Sequence, residues 1–184
     1  PVIGEVNYDK SGKQIVIQEG QRSFVAEEFR KLRLSLSYMG IDKKHKKILV
    51  TSSISGEGKS FISSNLAVSL TLTGKKVVLV DMDLNNPSLA KIFKVENKNG
   101  VTQFLRDESD ADQIITRLPN YENLFLIPSG PLPVNPTELL ANNKAEALIE
   151  YLNARFDIVI IDTSPMVLVT DGYMLTNLCD TTLY

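Results

Sequence analysis

The sequence has little of what nucleophilic and metal chemistry most often uses. Among 184 residues there is one cysteine, Cys179, and one histidine, His45. A single cysteine excludes an internal disulfide and a cysteine-rich metal site, and it fits a reducing compartment. A single histidine, set in the lysine run "DKKHKK" from Asp42 to Lys47, argues against Ser-His-Asp and Cys-His sites. Cys179 then reads as a core residue and His45 as an exposed one. No apolar run reaches the roughly 18 residues of a membrane span, and no signal peptide is visible. Strong charge of one sign is missing too. Twenty basic residues face 22 acidic ones, a net charge of −2, which gives no general case for nucleic acid as a partner. The lysine run reads as a solvated segment before a buried strand.

What is present is ordinary for a globular domain with a sizeable core: 43% hydrophobic and 23% charged residues. Val2 to Tyr8 reads as a short extended segment. Ser23 to Met39 has helical spacing, with Ser23 as N-cap, Gly40 as terminator, and Phe24, Leu32, Leu36 and Met39 available for an apolar face. Strands are expected over Ile48–Thr51, Lys76–Asp83, Asn123–Gly130, Phe156–Pro165 and from Thr181 to Tyr184. Helices are expected over Lys59–Thr73, Gly100–Arg106, Asp110–Arg117, from Thr137 to Leu140, and over Lys144–Arg155 and Asp171–Leu178. Pro128 to Pro136 reads as an ordered surface loop.

The strand segments are continuous apolar runs, not alternating ones. Such runs are buried on both faces, as in a parallel sheet covered by helices. The expected fold is therefore a doubly wound, mostly parallel α/β domain. The whole of 1–184 reads as a single domain. It comprises a lead-in over 1–22, a helix over 23–40 and a core over 46–184. The chain begins at Pro1 and stops within an apparent strand, which suggests a piece of something longer.

The chemistry concentrates in "SSISGEGKS", Ser52 to Ser60. The phosphate-loop pattern G-x-x-x-x-G-K-[ST] fits except at its first glycine, where Ser53 stands. A strand precedes it and a helix follows. Successive backbone N–H groups of Ser55, Gly56, Glu57, Gly58, Lys59, Ser60 and Phe61 can curl around phosphate oxygens, aided by the helix dipole. Lys59 would bridge the β- and γ-phosphates, and the Ser60 hydroxyl would ligate Mg²⁺. The dinucleotide pattern G-x-G-x-x-G fails at Phe61. Metal ligands are expected at strand C-termini, and Asp81, Asp83 and Asp162 each end an apolar run there. Asp162 reads as the acidic partner holding Mg²⁺ through water. Asp81 and Asp83 are one carboxylate more than metal binding needs, so one of them could accept a proton or orient a water.

Three motifs in order, "SSISGEGKS", "VVLVDMDLNNPSL" and "IVIIDTSP", resemble the Walker A, A′ and B motifs of the bacterial tyrosine kinases of polysaccharide export. "EEFRKLR" adds the E-x-x-R-x-x-R motif of their N-terminal helix as Glu27, Arg30 and Arg33. On spacing alone these three residues read as a solvated helix face. "PVIGEV" resembles the segment that follows the second membrane helix in single-chain members. The resemblance spans nearly the whole chain.

The resemblance implies a P-loop NTPase fold of the MinD/ParA-like, deviant Walker A kind. It implies ATP and Mg²⁺ as cofactors and phosphorylation of a tyrosine cluster in the C-terminal tail of a neighbouring subunit. Lys59, Asp81, Asp83 and Asp162 would be catalytic. Asp81 would be the base for the tyrosine hydroxyl, while Ser60, Asp83 and Asp162 would serve the metal. Glu27, Arg30 and Arg33 would join subunits in a ring, octameric in the family, at the cytoplasmic face of the inner membrane. A transmembrane co-polymerase segment and a tyrosine phosphatase would be further partners, and capsule or exopolysaccharide synthesis the process regulated.

Two departures stand out. Asn85 and Asn86 occupy the place where the family usually has a basic residue, and Ser164 replaces a proline of the B motif. Two other functions remain open on the sequence. A positioning ATPase of the MinD/ParA type would want a lysine near the start of the loop, where Ile54 stands. A co-polymerase module could bind nucleotide as a switch without transferring phosphate.

Overall fold

The computed structural model describes residues 2–18, 20, 23–41, 45–167 and 171–184, with backbone alone for 171 and 172. Its centre is a six-stranded sheet. Strands β1 (Lys47–Val50), β2 (Val77–Met82), β4 (Leu124–Ile127), β5 (Ile158–Thr163) and β6 (Thr181–Leu183) are joined by parallel pairings. β3 (Thr116–Arg117) pairs antiparallel with β4 at one edge, giving the order β3-β4-β2-β5-β1-β6. The helices are α1 (Phe24–Tyr38), α2 (Lys59–Thr71), α3 (Leu89–Phe93), α4 (Val101–Leu105), α5 (Ala111–Ile114), α6 (Pro136–Leu140), α7 (Lys144–Arg155) and α8 (Asp171–Thr176).

The unbroken apolar runs have the expected consequence. Neighbouring residues along a strand point to opposite faces, and both faces are covered. Ile48, Val50, Val77, Leu79, Ile158 and Ile160 join one core with α1 and α2. Leu49, Val78, Val80, Val159 and Ile161 join the other with α4 and α7. The doubly wound reading is thus what the chain adopts.

Several local expectations need correction. Phe24 and Met39 are 70% and 48% exposed, so they are not on the buried face of α1. Phe29 takes that place beside Leu32 and Leu36. The N-cap is as expected, the Ser23 hydroxyl accepting from Ala26 N–H at 3.1 Å. The helix expected over Asp110–Arg117 ends at Ile114, because Thr116 and Arg117 pair with Leu126 and Phe125 in β3. Two successive β-branched residues, Ile115 and Thr116, favour that switch. α3 was not anticipated, although Pro87 and Ser88 before Leu89 are an ordinary helix-start signal. Val2 to Tyr8 joins no strand. Asn7 instead donates its backbone N–H to the buried Glu28 at 2.8 Å, fastening the lead-in to α1. Pro128, Ser129, Gly130 and Pro133 are buried, so the proline-rich stretch is at the surface only in part. Residues 42–44 of the lysine run lie outside the described residues, while His45 is exposed. Among the described residues, no helix is long and apolar enough to cross a membrane.

Candidate active site

The loop between β1 and α2 is held open by two glycines in left-handed conformation, Gly56 with φ 89° and Gly58 with φ 95°. A side chain at either position would be strained, and the turn needs both. Gly58 is also the N-cap of α2, so the first helical residues are Lys59 and Ser60. The loop is braced from within. The Glu57 carboxylate accepts from the backbone N–H groups of Ser53 at 2.7 Å and Ile54 at 3.1 Å. Sequence reasoning assigned Glu57 only a place in the phosphate cradle. Its side chain folds the cradle's entry strand back on itself. Phe61 turns its ring towards α1, 5.8 Å from the ring of Phe29, which leaves its backbone as the part facing the loop.

Sheet register brings the carboxylates to that loop. Asp81 on β2 and Asp162 on β5 are direct partners, and Asp162 is level with Val50 at the end of β1. Both continue the strand faces that carry Val77, Leu79, Ile158 and Ile160, the side covered by α2. The Ser60 hydroxyl donates to Asp162 Oδ2 at 2.6 Å. Lys59 Nζ lies 2.9 Å from Asp83 Oδ2, with both side chains largely buried. Asp83 Oδ1 accepts from Asn86 N–H at 2.9 Å and from the Ser164 hydroxyl at 2.8 Å. Asp81 Oδ2 accepts from the N–H groups of Ser88 and Leu89, at 3.2 and 3.0 Å, where α3 begins. Asp81 Oδ1 is buried with no hydrogen-bond partner among the described residues.

The three carboxylates are therefore not equivalent. Burial, then the charge of Asp162, pushes Asp81 up to about 8, against the lowering effect of its backbone donors. Burial likewise raises Asp162 to about 6, opposed by Ser60 and Lys59. Burial also works on Asp83, but the Asn86 N–H, Lys59 and Ser164 outweigh it and hold the group below the usual carboxylate range. Asp83 is the charged partner of the loop lysine. Asp81 is the carboxyl whose charge is least supported.

Among the described residues, no group of three or more His, Cys, Asp or Glu side chains could hold a metal ion by itself. Mg²⁺ keeps several waters and takes one or two carboxylates plus phosphate oxygens. Ser60, Asp162 and Asp83 are the expected ligands that could take part in holding such an ion. Asp83 is placed against Lys59.

The three residues of the helix motif line one groove and differ in their partners. Glu27 and Arg30 form an ion pair on α1. Arg33 lines the same groove as that pair and donates to the Ser69 carbonyl of α2 at 2.5 Å and to its hydroxyl at 3.3 Å. The two departures, Asn85 and Ser164, meet each other, Asn85 Nδ2 donating to Ser164 Oγ at 3.1 Å. Nothing in the spacing of the two motifs announces that contact, which depends on the register of β2 and β5.

The family model described as an AAA domain matches residues 45–179. A tyrosine-protein kinase of Bacillus subtilis (strain 168), YwqD, is 34% identical over 168 residues, covering 91% of this chain and 70% of its own length. A putative tyrosine-protein kinase in the cps region of Klebsiella pneumoniae is also 34% identical, over 95% of this chain. The chain spans only 24% of that relative's length. Among solved structures, the chimerical protein CapA2B2 superposes with a TM-score of 0.90 at 31% identity, covering 100% of this chain and 79% of that one. The cell division ATPase MinD of Pyrococcus furiosus follows at a TM-score of 0.65 and 24% identity, a likeness of fold alone.

Proposed function

The chain belongs to the family of the bacterial tyrosine-protein kinases, and we propose from its site that it transfers the γ-phosphoryl group of ATP to tyrosine hydroxyls of proteins. One observation carries the reading: a phosphate loop whose Lys59 and Ser60 are each paired with a strand-end aspartate, with a third aspartate beside them that neither pairing uses. Simple nucleotide binding accounts for the two pairings and leaves Asp81 only the start of α3 to hold, with its Oδ1 unpartnered among the described residues.

In this reading the backbone from Ser55 to Phe61 holds the phosphates, and Lys59 exchanges Asp83 for the β- and γ-phosphate oxygens. Mg²⁺, when bound, neutralises charge on the phosphates, and Ser60 and Asp162 would hold it, with Asp83 close at hand. The tyrosine oxygen attacks phosphorus, the bond to ADP breaks, and the tyrosine proton passes to Asp81. The acceptors are tyrosines on neighbouring copies, assembled through the face of α1 that carries Glu27 and Arg30. The lead-in joins this domain to a membrane-spanning co-polymerase partner, and a phosphatase reverses the reaction. The process regulated is capsule or exopolysaccharide synthesis.

Asp81→Asn tests the assignment. The variant should keep nucleotide affinity within about twofold. It should lose on the order of 100-fold or more in phosphotyrosine formation, the usual contribution of a positioned base. Titration with a fluorescent ATP analogue and phosphotyrosine detection by mass spectrometry read the two quantities separately. Undiminished phosphotyrosine would remove Asp81 from the mechanism.

A further inference from the structure

Beside the phosphate loop lies a cleft of about 710 Å³. Gly56, Gly58 and Lys59 form part of its floor, and its rim carries Lys13, Lys91 and Lys94. All three rim lysines are exposed. Among the described residues no aspartate or glutamate lines the cleft, although acidic residues outnumber basic ones in the whole chain. Positive charge has thus been collected at the mouth of one cleft on a protein of slightly negative net charge.

The lysines are brought there by built structure. One wall is the lead-in, held by the fully buried Asn65 of α2. The Asn65 side chain accepts from Val16 N–H at 2.8 Å and donates to the Gln14 carbonyl at 2.9 Å, which sets Lys13 at the cleft's edge. The opposite wall is α3, with Lys91 in its last turn. Lys94 closes that helix in left-handed conformation at φ 56°, a position glycine usually fills. The loop between β2 and α3 offers only Asn86 and Ser88 to this cleft. Its cations come instead from the two walls.

We propose that Lys13, Lys91 and Lys94 form a recognition rim for the acceptor, selecting tyrosine-bearing peptide segments with acidic side chains flanking the tyrosine. This rests on the tyrosine-kinase reading of the site and names its substrate class. Rim charges act mainly through complementarity, favouring partners of opposite sign and disfavouring basic ones.

The test measures binding, so it stands whether or not transfer is observed. Fluorescence anisotropy would follow two labelled tyrosine peptides, one flanked by Asp and Glu and one by Ser and Gly, with Mg²⁺ and a non-hydrolysable ATP analogue present. The acidic peptide should bind about fivefold to tenfold more tightly at low salt, and the ratio should approach one near 0.5 M salt. The combined variant Lys13→Ala, Lys91→Ala and Lys94→Gly should lose the preference and keep nucleotide affinity. Equal binding of both peptides would overturn the proposal. So would a preference that survives in the variant. An equal loss of nucleotide affinity would assign the lysines to the nucleotide instead and would also overturn it. Phosphotyrosine formation, read on parallel mixtures with ATP, reports separately on the kinase reading. A retained acidic preference without phosphotyrosine would support the rim and count against the kinase.

Discussion

Ser164 stands where related kinases usually carry a proline, and its hydroxyl spans Asp83 and Asn85, at 2.8 and 3.1 Å. What look like two unrelated departures in the sequence are two halves of one contact. It holds Asp83 in the orientation that faces Lys59. Ser164→Ala removes a hydrogen bond to a charged group. It should slow phosphotransfer about fivefold while nucleotide affinity changes less than about twofold. Single-turnover kinetics beside nucleotide titration check this, and equal losses in both would mean that Ser164 serves binding alone. Cys179 gives a second test at this scale. Burial pushes its thiol up to about 12, with the nearby Lys47 only partly opposing. Because the thiolate is the reactive form, little of this thiol is reactive at pH 8. Alkylation of the folded protein should therefore be slow at pH 8 and should quicken steadily as pH rises. Rapid labelling at pH 8 under native conditions would contradict the burial.

At the scale of elements, α1 does two jobs with one motif. Arg33 fastens α1 to α2 through Ser69, and burial, then the neighbouring Arg30, lowers its pKa. Glu27 and Arg30 form a partly exposed ion pair along the same groove. Arg33→Ala should therefore cost the isolated domain about 1 kcal/mol in urea unfolding, a part-exposed contact being discounted for solvent. The pair Glu27→Ala with Arg30→Ala should change stability little and lower the assembled mass in light scattering. An unchanged mass would sink the interface role, and an Arg33→Ala domain of unchanged stability would sink the clamp.

The same contrast explains what could be read from the sequence. Strands buried on both faces, such as Val77–Met82 and Ile158–Thr163, announce themselves as apolar runs, and α2 follows from the glycines before it. Asp81, Asp83 and Asp162 were legible because strand ends in a parallel sheet share an edge. The direction of Arg33 was not, since a residue between two helical faces is assigned only by packing. β3 was hidden because two residues of edge pairing carry no period of their own, and the support of Asp83 by Ser164 depends on register.

For the whole molecule, the question is where the phosphoryl group goes. The fold is shared with MinD, so fold alone does not choose between water and tyrosine. At the early loop position, where a positioning ATPase would want lysine, Ile54 is 52% exposed. The extra aspartate, the cationic cleft and the clamped lead-in give the choice a physical basis. The most direct test incubates the protein with Mg-ATP and an acidic tyrosine peptide, and measures ADP and phosphotyrosine together. Lys59→Met serves as the control, expected to bind ATP on the order of 100-fold more weakly. The account predicts phosphotyrosine in near-equal amount to the ADP formed, both lost in Lys59→Met. ADP and free phosphate accumulating without phosphotyrosine would contradict it.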